Sequence, residues 1–429
     1  MGFIIILYAA FIMVGVYIYY KIYKRYGLIH PLIWIYLDGF LNYYFRSYVL
    51  LTTGQSVVPN LAFTHSDVFY ALLFVTIIFL ERIWIYKPKP KIEGQEGCMI
   101  LPIHTKIFYV ASAAVIFASC YNIYNGNIYS LGDSFMESQN SFTDQLVGEI
   151  NGFRFFVIFL GTYCYNHTHK KKMLILIAII MLLLLFFGVV STAKGKLLNL
   201  IVAFFFVLQI LKVKVNYKIV APLSIFFMFA FSHYSYYTRQ YGVVSGKYET
   251  RDLIENYNDY QKNDVGSVNY INMLQRYYYL DPIIFLENNS ITNREEYEYG
   301  SIRDLQGIIP RALYPDKPKN LNYGLFTGKS IFENGWAEEP IGRLGELFSL
   351  FGFFTIILYP FIAKIGQFFF NKLYEKGDVL EKSMYLCMFF VFFSSDSGWL
   401  TYGYRIFFES LILLFALRMY VVYKTKIKV

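Results

Sequence analysis

Only four cysteines occur in the 429 residues, at Cys98, Cys120, Cys164 and Cys387, and none forms a CxxC pair. They lie mostly in or beside apolar runs, so neither a zinc site nor a disulfide framework is indicated. Charge is scarce too: Asp, Glu, Lys and Arg make up 16% of the chain, where a soluble domain carries roughly a quarter. With 56% hydrophobic and 21% aromatic residues, that deficit excludes a disordered or collagen-like chain and points to a lipid-embedded one. Also missing are HExxH, DxD, a P-loop and GxGxxG. A nucleotide-sugar donor, a protein-held metal and any other cofactor are therefore not expected.

The ionisable residues that are present are 39 basic and 30 acidic, a net charge of +9. Such a surplus fits either nucleic acid or the cytoplasmic loops of a membrane protein, and position along the chain favours the membrane. Lys21, Lys24 and Arg25 follow the first apolar run directly, whereas the loops at 51–66 and 122–150 contain no lysine or arginine. Lysine and arginine stay on the cytoplasmic side, so the N-terminus is predicted outside and the C-terminus inside. The first run carries its basic cluster after the apolar stretch, which favours a retained span over a cleavable signal peptide.

Apolar runs long enough for a hydrocarbon layer recur at about 2–20, 28–50, 67–86, 103–121, 151–167, 173–190, 197–211, 219–236, 343–363, 383–400 and 404–421. The expectation is an all-α polytopic membrane protein of about eleven spans. It has three parts: a bundle at 1–236, a large extracytoplasmic segment at 237–342 and a second bundle at 343–429. The middle segment has 106 residues, with 11 basic and 15 acidic side chains. Its mildly acidic sign argues against bulk capture of nucleic acid. Within it, Asp281-Pro282 predicts a turn or kink inside a helical stretch.

Ionisable groups at the outer ends of spans are the strongest chemical signal, because charge beside hydrocarbon is costly. Arg46, Arg154, Lys194, Lys196, Arg239, Arg343 and Arg405 fall at that level, and Arg276, Arg303, Arg311 and Lys317 can join them from the large segment. Singly, each reads as a helix-end anchor. Together they suit a lipid with a phosphate or diphosphate head, since arginine presents a planar fork to phosphate oxygens. In Ile308-Ile-Pro-Arg-Ala-Leu-Tyr-Pro-Asp-Lys-Pro-Lys319, three prolines stiffen the backbone around Arg311, Asp316 and Lys317. Glu339 can accept a proton from a sugar hydroxyl or simply favour a helix N-terminus. His233 reads either as a base or diphosphate ligand or as a packed core histidine.

The proline-rich run, followed by Gly342-Arg-Leu-Gly-Glu-Leu-Phe-Ser-Leu-Phe-Gly352 entering a span, resembles the O-antigen and oligosaccharide repeat-unit polymerases, the Wzy family. The specific likeness is confined to about 301–352. It implies a glycosyltransferase type C-like protein of the bacterial inner membrane that needs no metal. Its substrates would be undecaprenyl-diphosphate-linked oligosaccharides, the growing glycan being transferred to the non-reducing end of a new lipid-linked unit. The resemblance makes Arg311 a diphosphate ligand with Lys317 and Asp316 beside it, and Arg276 and Arg239 weaker candidates for the same task. A chain-length regulator and a flippase are the implied partners. Some relatives carry an arginine and a glycine with ten residues between them; here Glu287 stands at that place after Arg276 and Asn322 after Arg311. A lipid-linked glycan ligase and a lipid-linked oligosaccharide transporter are the alternatives.

Overall fold

The computed structural model describes residues 2–56, 58, 61–86, 100–125, 142–190, 194–213, 279–289, 342–394 and 404–426. No strand occurs among them. In chain order the helices are α1 (Gly2–Ile29), α2 (31–53), α3 (His65–Ile85), α4 (Pro102–Tyr124), α5 (Phe142–Gly152), α6 (Arg154–Thr168) and α7 (Lys171–Val190). They continue with α8 (Lys194–Ile210), α9 (Leu280–Asn289), α10 (Gly342–Phe351), α11 (Gly352–Glu375), α12 (Val379–Ser394) and α13 (Tyr404–Lys426).

Among the described residues, five helices are long and apolar enough to cross a membrane: α1, α3, α4, α7 and α11. The chain is a multi-pass, largely α-helical membrane protein. This set of five corrects the expectation of about eleven spans in a glycosyltransferase type C-like arrangement. The reasons are local. α2 fills its apolar run but carries Asp38, Asn42, Arg46 and Ser47, which leave it outside the set of apolar spans. α6 has 15 residues and α8 has 17, which at ~1.5 Å per residue falls short of a hydrocarbon layer of about 30 Å. The run at 219–236 lies outside the described residues.

The apolar run at 343–363 is broken. α10 ends at Gly352, whose φ of +53° lies in the left-handed region. A short 3₁₀ turn, Gly352–Phe354, then leads into the long part of α11, and Thr355 Oγ1 donates to Leu347 O at 2.9 Å across the break. A Cβ at 352 would meet no atom within 4 Å, so the constraint is backbone conformation alone. Gly352→Ala is expected to destabilise the protein by about 1–2 kcal/mol through the left-handed penalty. Gly148→Ala, at an equally open position inside α5, should be neutral or stabilising by about 0.5–1 kcal/mol. Unfolding curves of the two variants in mixed micelles check the contrast.

The contacts divide the chain into two units, residues 1–99 with 277–429 and residues 100–276. In the second unit, α4 packs on α5 and α6, and α7 lies against α6 and α8. Pro102 opens α4 at a position where a missing N–H costs nothing, while His104 Nδ1 accepts from Leu101 N at 3.3 Å.

In the first unit α1, α2 and α3 pack together, and α3 also carries α9 and α11. α3 starts with a capping box, in which Thr64 N donates to Asp67 Oδ2 at 2.6 Å and Asp67 N donates back to Thr64 Oγ1 at 3.4 Å. Tyr44 and Thr76 hydroxyls meet at 2.5 Å between α2 and α3. The Tyr8 hydroxyl of α1 donates to Tyr44 O at 2.6 Å. A second box opens α12, with Asp378 N donating to Glu381 Oε2 at 2.8 Å and Glu381 N to Asp378 Oδ1 at 2.9 Å. Glu381 is also paired with Arg418 of α13 at 2.9 Å.

Candidate functional site

The first unit holds a buried ion pair between α2 and α9. α2 contains a π-helical turn at Phe40–Phe45 immediately before Arg46. Its C-terminal end closes on Gly54 in the left-handed conformation (φ +66°), with Gly54 N donating to Leu50 O at 2.9 Å. That turn sends the chain back, bringing Gln55 and Ser56 beside Arg46. α9 places Asp281 in its first turn, where a carboxylate is favoured by the helix dipole and Pro282 by its missing N–H.

The pairing is two-pronged: Arg46 Nε donates to Asp281 Oδ1 at 2.8 Å and Nη2 to Oδ2 at 2.6 Å. Nη2 also donates to Gln55 O at 3.2 Å, and Ser56 Oγ donates to Asp281 Oδ2 at 2.9 Å. The two side chains are 1% and 0% exposed. Such enclosure removes Arg46 from the set of cations that could meet a lipid phosphate. Sequence reasoning placed Arg46 at the outer interface but read Asp281 only as a turn. The usable signal was an acid inside the apolar run Tyr279-Leu-Asp-Pro-Ile-Ile-Phe-Leu286, since a buried arginine requires a buried acceptor.

At its other end, α9 is held by Asn288 Nδ2, which donates to Ala62 O at 3.2 Å. Its apolar residues Leu280, Ile283, Ile284 and Leu286 join one buried cluster with Leu344, Leu347 and Phe348 of α10. Phe348 also meets the Phe74 ring of α3 at 5.0 Å between centroids. Helix α10, whose second residue is Arg343, is thus packed against a helix held near both ends.

Glu287 sits on α9 beside these contacts. Its Oε2 has no hydrogen-bond partner among the described residues. Burial first, and the Asp67 carboxylate second, raise its carboxyl above the ordinary carboxylate value. A raised pKa means that ionisation opposes folding once pH exceeds the unfolded-chain value. Glu287→Gln is expected to raise Tm at pH 7.5, and the gain should vanish as pH falls below the ordinary carboxylate value, where the carboxyl is protonated in both folded and unfolded chains. Thermal melts of both proteins across that range give the comparison.

A second buried cation, Arg82 of α3, donates through Nη2 to the Tyr359 hydroxyl of α11. Its guanidinium carbon also lies 4.3 Å from the Tyr359 ring centroid. Arg82 is 5% exposed, so this contact between two spans is a structural one.

The predicted site residues divide sharply. Arg311, Glu339, Arg276, His233, Lys317, Arg239 and Asp316 lie outside the described residues. In the second unit, Arg154 begins α6 with its guanidinium 5.6 Å from the Phe155 ring centroid, and Lys194 and Lys196 belong to the first turn of α8. In the first unit, Arg343 and Arg405 are the second residues of α10 and α13. No group of three or more His, Cys, Asp or Glu suited to a metal ion occurs among the described residues.

Several helices apolar enough to cross a membrane, with α2 and α9 tied together by a buried ion pair, define a multi-pass α-helical membrane protein. No family model, no curated protein and no solved structure matches the chain.

Proposed function

We propose that this protein polymerises undecaprenyl-diphosphate-linked oligosaccharide repeat units at the outer face of a bacterial inner membrane, with its N-terminus external and its C-terminus cytoplasmic. The observation that carries this reading is the seating of α9 and α10. Both flank the proline-rich run around Arg311, and α9 is anchored to the bundle by Arg46–Asp281. A long polar segment whose two flanking helices are seated on the bundle suits a substrate whose lipid lies in the bilayer and whose glycan projects from it.

In this mechanism, an acceptor hydroxyl on the non-reducing end of a new lipid-linked unit attacks the anomeric carbon of the growing glycan. The new glycosidic bond forms as the bond to the diphosphate oxygen breaks. Glu339 accepts the hydroxyl proton. Arg311 and Lys317 stabilise the negative charge that develops on the departing undecaprenyl diphosphate. Fixed cations are sufficient for a leaving group of this kind.

The test is reconstitution of the full chain in liposomes with undecaprenyl-diphosphate-linked repeat units, without nucleotide sugar or divalent metal, followed by sizing of the lipid-linked products. A ladder spaced by one repeat is expected. Single repeats left unchanged by folded protein that binds them would overturn the reading. Attachment to a lipid A acceptor would then identify a ligase, and relocation of intact substrate across the bilayer a transporter.

A further inference from the structure

We infer that Arg46–Asp281 is a positioning lock: its two-pronged geometry sets the placement of α9 and, through α9, that of α10 and Arg343. The consequence for catalysis rests on the polymerase reading above, whereas the lock itself does not.

Burial energetics supply the first argument. Taking two charges out of water costs several kcal/mol per ion, and well-packed apolar residues of similar volume often stabilise a fold as well or better. What an apolar pair lacks is direction. Nε and Nη2 of Arg46 must reach Oδ1 and Oδ2 of Asp281 together, at 2.8 and 2.6 Å. That condition fixes the rotation and height of α9 far more closely than packing contacts do. Ser56 and Gln55 narrow it further, because each is bonded to the pair and neither is free to follow a displaced α9.

The path outward from the lock is short. Asp281 and Asn288 pin α9 at two points seven positions apart, to Arg46 and to the Ala62 carbonyl. The apolar face between them receives Leu344, Leu347 and Phe348. Gly352 interrupts the helix between α10 and the long part of α11, so α10 does not simply continue the axis of α11. Its seat is the surface offered by α9 and α3, with the Thr355–Leu347 hydrogen bond at its lower end. A change in the rotation of α9 is therefore transmitted to the start of α10, where Arg343 stands. Neither Arg46 nor Asp281 touches substrate in this scheme; both act through α9.

The experiment uses the full chain with its native cysteines replaced by alanine and with Ala62→Cys and Asn288→Cys added as reporters. A short bifunctional thiol reagent then reads the position of α9 independently of activity. Three lock variants are compared with the parent: Arg46→Met with Asp281→Leu, Arg46→Lys, and the reversed pair Arg46→Asp with Asp281→Arg. The apolar pair is expected to keep a parental Tm, yet to lose most of the 62–288 cross-link and about 100-fold of the polymerisation rate, as a misplacement of about 1 Å can do. Arg46→Lys keeps the charge without the fork, and should lower kcat and cross-linking while KM stays near the parental value. The reversed pair should recover part of both signals.

Parental cross-linking and parental ladders in the apolar variant would overturn the lock. If that variant fails to fold, Arg46→Lys decides: cross-linking and kcat at parental levels would overturn the proposal equally. Loss of the cross-link in the lock variants, together with no ladder from the unsubstituted chain, would leave the lock standing and sink the polymerase reading alone.

Discussion

Asp281→Ala is expected to lower unfolding stability by about 3–5 kcal/mol, the range for removing one partner of a buried ion pair. The size of the effect comes from what is left behind. Arg46 would keep its charge at 1% exposure with two of its donor contacts removed, and the Ser56 hydroxyl would lose its acceptor. Water cannot enter to replace them without displacing the apolar residues around α9. Arg46→Ala should cost a similar amount, and the double substitution much less than the sum, because neither charge then remains unpaired. Denaturant titration of the four proteins in mixed micelles closes this cycle. A near-additive result would mean that the two side chains do not depend on each other.

Arg311→Ala should reduce polymerisation by at least about 100-fold, the scale for losing one fixed group that stabilises developing negative charge. Insertion and abundance should be unchanged. Lys329, a lysine of the same polar segment outside the proline-rich run, provides the comparison: Lys329→Ala should keep most of the activity. Equal losses in the two variants, measured as ladder formation per mole of inserted protein, would remove Arg311 from the leaving-group role. Arg311→Lys should recover only part of the rate, since an ammonium restores the charge without the planar fork.

Hydropathy made several helices legible before any coordinates. The runs at 67–86 and 103–121 appear as His65–Ile85 and Pro102–Tyr124, because long uninterrupted apolar segments leave few other conformations open in lipid. It misjudged the run at 343–363, because a hydropathy window does not register φ. Gly352 fits the average, yet it separates the short helix α10 from the span that follows. It also overcounted spans in the region of α2, where Asn42, Arg46 and Ser47 are buried among the apolar residues.

Half of the ion pair was visible. Arg46, inside an apolar run, demanded a partner, but the acid that answers it lies 235 positions away. Nothing in local periodicity links residues so distant. The proline-bounded motif around Arg311 was the most legible chemical feature, and its meaning comes from resemblance and from charge chemistry; its residues lie outside those described.

The π-helical turn at Phe40–Phe45 makes α2 sensitive to its own length. Such a turn holds one residue more than the α-helical path it replaces, so everything beyond it is rotated by about 100° relative to a continuous α-helix. Arg46 follows directly. Trimming a single residue from 40–45 would relax the turn to ordinary α-helix and swing the guanidinium away from Asp281 with no change in composition. Insertions and deletions in this stretch should therefore be tolerated far less well than substitutions.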